Sequence, residues 1–91
     1  MDDSFAKINA FISQLKACME EELLKGKPNW HSIDKWEARV ADYIREECGK
    51  ELAEEFVELT VEMYPHNDLG NYASHADKKL VFLEALRDDL D

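Results

Sequence analysis

The stretch that decides the fold is SFAKINAFISQLKACMEEELLKGKP, residues 4–28. Its apolar residues recur at alternating steps of three and four, which is the spacing of one buried face of an α-helix. Gly26 and Pro28 follow, and together they form a strong helix stop signal. The segment predicts a helix over about residues 4–25, with Asp3 or Ser4 as its cap. Its predicted buried residues are Phe5, Ile8, Ile12, Leu15 and Met19, flanked by Phe11, Cys18 and Leu23.

A second helix is predicted to follow a short connection, with Ser32 as its cap. Its inward side would carry Ile33, Trp36, Val40, Tyr43 and Ile44. Gly49 then interrupts the apolar pattern, which resumes directly after it. We interpret Gly49 as a break between two helices. The alternative is one long helix, which would give three helices with one long arm and a dimer covering its exposed face.

The third stretch, about residues 50–64, repeats the helical spacing and stops at Pro65. Its main apolar row is Leu52, Phe56, Leu59 and Met63, with Val57, Val61 and Tyr64 in a second row beside it. Residues 65–72 are rich in turn formers, so they are predicted to form a loop. Ser74 and Asp77 then resemble a capping box before a last helix. Its inward residues would be Ala76, Leu80, Leu83, Leu86 and Leu90, with Phe82 at the flank.

These segments together predict an all-α protein, a small up-and-down bundle of about four helices. The chain has 91 residues, of which 45% are hydrophobic, so we expect a single helical domain over residues 1–91. No strand is predicted, since the apolar residues keep helical rather than alternating spacing.

Five glutamates crowd the twelve residues 51–62, and no Lys or Arg lies between Lys50 and Lys78. Like charges three and four residues apart destabilise an isolated helix by about 0.2–0.5 kcal/mol per pair. An acidic stripe is predicted along the rim of the buried face, made of Glu51, Glu55, Glu58 and Glu62. It is either a solvated surface or a docking face for a basic protein, and Asp68 and residues 88–91 could extend the same field. The glutamates are Glu51, Glu54, Glu55, Glu58 and Glu62.

Two aromatic residues in predicted loops are further candidates for partner binding. Exposed Trp and Tyr are favoured at binding hot spots. Trp30 would be either a lid over the end of the bundle or an exposed anchor, and Tyr72 is a second candidate anchor.

The formal net charge of −10 argues against direct nucleic-acid binding, which depends on Lys and Arg neutralising phosphates. The same charge would steer the chain toward a basic protein surface. No run approaches the ~20 apolar residues of a membrane span. The two cysteines have no CxxC spacing and no secretory leader precedes Phe5, which predicts buried thiols in the cytoplasm.

No arrangement of residues predicts catalysis, a metal site or a cofactor. His66, Asp68 and His75 have ligand chemistry, but their spacing fits no zinc pattern. Cys18 and Cys48 lack the electropositive surroundings of a reactive thiolate, because glutamates lie close to both. A solvated glutamate stripe offers no desolvated carboxylate for acid–base work. There is no glycine-rich phosphate loop, no GxSxG and no HExxH.

The run DKWEARVADYIREECG, residues 34–49, resembles helical segments that accompany effector domains in prokaryotic antiphage-defence proteins. The closing run KLVFLEAL, residues 79–86, resembles their last helix. That resemblance implies packing roles for Trp36 and Val40, and regulation or self-association rather than catalysis. In size, charge and acidic helix the chain is also similar to acidic helical bacteriocin-immunity proteins, which block a basic toxin with a carboxylate-rich face.

The expected function is therefore that of a non-enzymatic acidic inhibitor or adaptor, which docks on a basic partner protein in a microbial conflict. One alternative is a self-association or regulatory module of a defence system, built on the row of Val57, Val61 and Tyr64 and forming a homodimer. Another is a nucleic-acid mimic, which would present carboxylates as surrogate phosphates to a DNA- or RNA-binding protein.

Overall fold

The computed structural model describes residues 3–90, and four helices fill most of that range. They are α1 (Asp3–Lys25), α2 (Trp30–Glu47), α3 (Lys50–Glu58) and α4 (Asp68–Leu90). The long helices α1 and α4 pack on each other, α2 packs on α3, and α1 also contacts α2. The predicted all-α bundle of about four helices is confirmed.

The link between α1 and α2 turns at Gly26, whose φ of 74° is one that glycine adopts without strain. α2 begins at Trp30, so the prediction that Ser32 caps this helix is wrong. Asn29 is the cap, and its side-chain oxygen accepts a hydrogen bond of 3.1 Å from the Ser32 amide. Ser32 therefore lies in the first turn as a donor of backbone N–H.

Gly49 separates α2 from α3, as the sequence predicts. Its φ of 111° and ψ of 160° lie in a region that only glycine adopts readily. Its amide donates to the Ile44 carbonyl at 3.0 Å, which closes α2 while the chain reverses direction. The alternative of one long helical arm is wrong.

The third helix ends at Glu58, six residues before the predicted end. Leu59 already has an extended backbone, with ψ of 118°. Two lysines of α4 donate to carbonyls at this end. Lys79 Nζ donates to the Val57 carbonyl at 3.3 Å and to the Phe56 carbonyl, which also accepts from the Leu59 amide at 3.4 Å. Lys78 Nζ donates to the Thr60 carbonyl at 2.7 Å. The helix stops here because another element satisfies its last carbonyls, and β-branched residues follow that favour extended backbone.

The last helix begins at Asp68, so the predicted loop over residues 65–72 is shorter and the capping box at Ser74 is wrong. Asn71 explains the early start. Its side-chain oxygen accepts from the Tyr64 amide at 3.0 Å, and its nitrogen donates to the Tyr64 carbonyl at 2.9 Å. This pair of bonds ties residues 59–67 to the first turn of α4.

The core is centred on Phe56, whose ring lies 6.0 Å from Trp36 and 5.6 Å from Phe82. Trp36 also donates from Nε1 to the Phe11 carbonyl at 3.2 Å, which ties α2 to α1. Most predicted inward residues are buried, but Phe5 and Met63 are 37% and 51% exposed, so their assignment to the core is wrong. The side chain of Leu90 lies outside the described part of the structure. The confirmed core residues include Ile8, Ile12, Leu15, Ile33, Trp36, Val40, Ile44, Phe56, Ala76, Leu80, Leu83 and Leu86.

Candidate functional site

Four glutamates form an exposed row on α3, which we call the acidic row: Glu51, Glu54, Glu55 and Glu58. The buried residues of the same helix are Ala53 and Phe56. At about 3.6 residues per turn, the acidic row lies on the side of α3 opposite these two residues. Glu55 and Glu58 also line a groove between α3 and α4 beside Leu59 and Phe82, so this part of the row keeps its predicted position on the rim of the buried face. Glu62 is exposed but lies in the link that follows α3, so it does not belong to the row.

Most of the acidic row forms no ion pair with the described residues. Lys50 Nζ approaches Glu54 Oε1 at 3.8 Å, one turn along the helix, and both side chains are more than half exposed. An exposed pair of this kind contributes about 0.3–0.5 kcal/mol. Within residues 3–90, no ion pair involves Glu51, Glu55 or Glu58. Three carboxylates of the row are therefore available to an external cation.

The fifth predicted glutamate is engaged locally. Glu62 accepts a hydrogen bond of 2.8 Å from the Tyr64 hydroxyl, and this bond raises the pKa of Tyr64. Asp88, in the acidic carboxyl-terminal segment, lies 3.5 Å from Arg87. Asp91, which was expected to extend the field, lies outside the described residues.

An apolar groove opens between the end of α3 and the middle of α4. Half-buried Leu59 and Phe82 line it together with Val81, which is 57% exposed. The cavity has a volume of about 480 Å³. A second depression of about 400 Å³ shares Leu59 and Phe82 and reaches Glu55 and Glu58. We call the two together the α3–α4 groove.

The charged side chains of the α3–α4 groove are Glu55, Glu58, Asp77 and Lys78. The ammonium of Lys78 is already bound to the Thr60 carbonyl at 2.7 Å. No ion pair within the described range involves Asp77. Three carboxylates thus face one ammonium, and the groove has an apolar floor with a negative edge.

Lys79 lies beneath this region and does not contribute a surface charge. Its side chain is 1% exposed, and Nζ lies 4.6 Å from the centre of the Phe56 ring. Burial lowers the pKa of Lys79, and the nearby carboxylate of Glu37 opposes that shift. The ammonium instead fixes the end of α3, which determines where the acidic row stops.

The predicted aromatic candidates lie elsewhere in the molecule. Trp30 is half-buried at the start of α2, and its Nε1 donates to Asp68 Oδ1 at 3.2 Å. Its ring meets the Tyr72 ring edge-on at 5.5 Å. The structure therefore brings together Trp30, Asp68 and Tyr72, in the lid-like arrangement that was one of the two alternatives for Trp30.

Tyr72 is fully buried in α4, so its predicted role as an exposed loop anchor is wrong. The physical reason is that α4 begins four residues earlier, at Asp68, and carries Tyr72 inward. Its hydroxyl lies 3.4 Å from Cys18 Sγ. Burial, together with this contact and the charge of Glu22, raises the pKa of Tyr72.

The residues with ligand chemistry have other contacts or backbone roles. His75 bonds to Glu37 across α4 and α2, Asp68 bonds to Trp30, and His66 lies in a turn with a φ of 62°. Among residues 3–90, no group of three or more His, Cys, Asp or Glu is placed to hold a metal ion. No helix in that range is both long enough and apolar enough to cross a membrane.

Sequence reasoning missed Lys78, Lys79 and Val81. Lys79 follows Ala76 by three residues and precedes Leu83 by four, so it shares the inward register of α4. A lysine in an apolar register is a signal for a buried cation that binds another element. Val81 falls outside that register, and an exposed valine carries no signal of its own.

Comparison of the chain with protein-family models, curated proteins and solved structures finds no match.

Proposed function

We propose that this chain is a non-enzymatic docking protein that binds a basic surface of a partner protein through the acidic row of α3. The observation that carries the proposal is the absence of an intramolecular counter-ion for Glu51, Glu55 and Glu58 within the described residues. The net charge of −10 supports it, because the whole molecule would be attracted to the same surface.

The acidic row contributes in two ways. A field of one sign steers a partner toward the surface and raises the association rate, typically by about 10 to 10³ at low salt. Ion pairs at an exposed site add only about 0.2–1 kcal/mol each, so the row fixes orientation more than affinity. A stable complex would need apolar contact in addition.

The proposed setting is a microbial conflict, in which the chain acts as an inhibitor or adaptor. The likeness of residues 34–49 and 79–86 to helices of antiphage-defence proteins supports this setting, as does the acidic character shared with bacteriocin-immunity proteins.

The structure offers less support for self-association than the sequence did. The row of Val57, Val61 and Tyr64 required one helix through residue 64, whereas α3 ends at Glu58. These residues are not one helical row. Nucleic-acid mimicry required acidic residues of several helices in line, and the acidic row belongs to α3 alone.

The test begins with affinity capture from the native host, followed by mass spectrometry to identify a partner. The association rate of the purified pair is then measured from low to high salt. We expect a steep fall with salt, because screening shortens the Debye length to about 8 Å at physiological ionic strength.

Two triple variants remove the same charge at different places. Glu51→Gln/Glu55→Gln/Glu58→Gln removes the free part of the acidic row and should slow association strongly. Glu20→Gln/Asp34→Asn/Glu47→Gln removes three exposed carboxylates elsewhere and should slow it only slightly. Equal rates for the two variants, or a rate indifferent to salt, would reject the proposal.

A further inference from the structure

The α3–α4 groove combines two features that each lack a partner in the described part of the chain. Val81 is 57% exposed beside half-buried Leu59 and Phe82, which leaves an apolar floor open to water. Glu55 and Glu58 line the same groove, and neither forms an ion pair with another residue of the range 3–90. A ligand that fits both features must be apolar at one point and cationic beside it.

We infer that the α3–α4 groove binds a basic amphipathic peptide segment of the partner. This inference rests on the proposed function and specifies the partner's chemistry. One aliphatic or aromatic side chain would enter between Leu59, Val81 and Phe82. Lys or Arg side chains next to it in space would meet Glu55 and Glu58 on one edge and Asp77 on the other.

Charge complementarity selects this occupant over a second copy of the chain. The groove presents three carboxylates and one ammonium, and that ammonium already bonds to the Thr60 carbonyl. A second copy would bring a net charge of −10 to this edge. A cationic segment replaces that repulsion by attraction, and its apolar residue removes Val81 from water.

The size of the groove suits one large side chain. The larger of its two depressions has a volume of about 480 Å³ and is open to solvent. Burying one Leu side chain is worth about 1.5–3 kcal/mol, which corresponds to at least a tenfold change in affinity. Apolar contact would therefore supply the affinity that the acidic row alone lacks.

The experiment uses two short peptide probes of equal length and charge. One carries Lys and Leu at helical spacing, and the other carries Ser in place of every Leu. Affinity for the full chain is measured by fluorescence anisotropy, and the contacted residues by amide chemical shifts. We expect the Lys/Leu peptide to bind at least about tenfold more tightly, with the largest shifts around Leu59 and Val81.

Variants separate the two parts of the surface. Val81→Ser should remove most of the preference for the Lys/Leu peptide, while Leu24→Ser, at an 84% exposed position of α1, should leave it unchanged. Glu55→Gln/Glu58→Gln should lower the affinity for both peptides more than Glu20→Gln/Glu47→Gln does. Val81 is exposed, so its substitution should leave the helical content unchanged, and circular dichroism checks this.

The outcomes distinguish this inference from the proposed function. If the glutamate variants weaken peptide binding but Val81→Ser does not, the peptide does not bind in the groove. Binding by the acidic row alone would then explain the data. If the two pairs of glutamate variants behave alike, the proposed function itself fails. A dimer in sedimentation that Val81→Ser dissociates would overturn the inference in favour of a second copy.

Discussion

Lys79 shows at the residue scale how one side chain defines the end of a helix. We expect Lys79→Met to lower the free energy of unfolding by about 1–3 kcal/mol, because it removes the Nζ donor to the Val57 carbonyl and leaves the Phe56 carbonyl with only its 3.4 Å bond from the Leu59 amide. Met retains most of the aliphatic volume. Urea unfolding measures the change, and Lys78→Met, at an exposed position, should cost less. Unchanged or higher stability of Lys79→Met would mean that desolvation of the ammonium outweighs its hydrogen bonds.

Buried Tyr72 leads to a prediction about how the free energy of unfolding depends on pH. Its pKa is raised in the folded protein, so above about pH 10, the ordinary tyrosine pKa, the folded state holds a proton that the unfolded state has lost. Stability from Tyr72 is therefore complete below that pH and falls as pH rises further. Urea unfolding at increasing pH should show a shallower decline for Tyr72→Phe than for the wild type. Parallel declines would contradict the raised pKa.

Asn71 joins the segment of residues 59–67 to the first turn of α4. Asn71→Ala removes both side-chain hydrogen bonds to the Tyr64 backbone and leaves the 3.3 Å bond from the Asn67 amide, so residues 59–67 should open more often. We expect faster hydrogen exchange at the Tyr64 amide and about 1–3 kcal/mol lower stability. Ser74→Ala, at an exposed position of α4, is the matched control. Exchange at Tyr64 that stays at the wild-type rate would show that other contacts hold this segment.

Gly49 separates helices α2 and α3, and its substitution tests the backbone conformation of this junction. Gly49→Ala places a side chain on a backbone with φ of 111°, which costs about 1–3 kcal/mol even though no atom lies within 4 Å of the added Cβ. Thermal or urea unfolding measures this cost. Lys50→Ala, in the adjoining first turn of α3, should be nearly neutral. A neutral Gly49→Ala would mean that the chain can pass from α2 to α3 in another conformation.

The elements also show which features could be predicted from the sequence. The number of helices and most of the core follow from local spacing, so residues such as Ile12, Val40 and Leu83 were assigned correctly. The helix ends could not be obtained in this way. α3 stops where Lys78 and Lys79 arrive from α4, and α4 starts where Asn71 holds Tyr64. These contacts join different elements or the two ends of a loop, so the apolar spacing within one helix does not show where that helix ends.

The candidate site also has one part that could be predicted from the sequence and one that could not. The exposure of Glu51, Glu55 and Glu58 was predictable, because a helix with a buried apolar side must place its charged residues in water. The α3–α4 groove was not predictable. Its floor depends on Leu59 leaving the helix next to Phe82. Tyr72 was misplaced for a related reason, since its exposure depended on where α4 begins.

At the scale of the whole molecule, 21 acidic residues against 11 basic ones produce repulsion that folding must overcome. We expect the free energy of unfolding to rise from low to moderate salt, because screening shortens the Debye length to about 10 Å at 0.1 M. Chemical denaturation in urea, which adds no ions, measures this dependence. The triple variant of the acidic row should be more stable than the wild type at low salt and show a weaker salt dependence. Stability that falls with salt would indicate that attractive ion pairs dominate instead.

Because Lys79 is buried between α4 and α3, the reactivity of its amine reports on the separation of these two helices. An acylating reagent should modify exposed lysines such as Lys50 and Lys78 rapidly, whereas Lys79 should react only when α3 detaches from α4. The acylation rate of Lys79, followed by peptide mass spectrometry, would then measure how often the two helices separate, and no probe would need to be introduced by mutation. Ligands that occupy the neighbouring surface should slow it, so they can be screened without a functional assay.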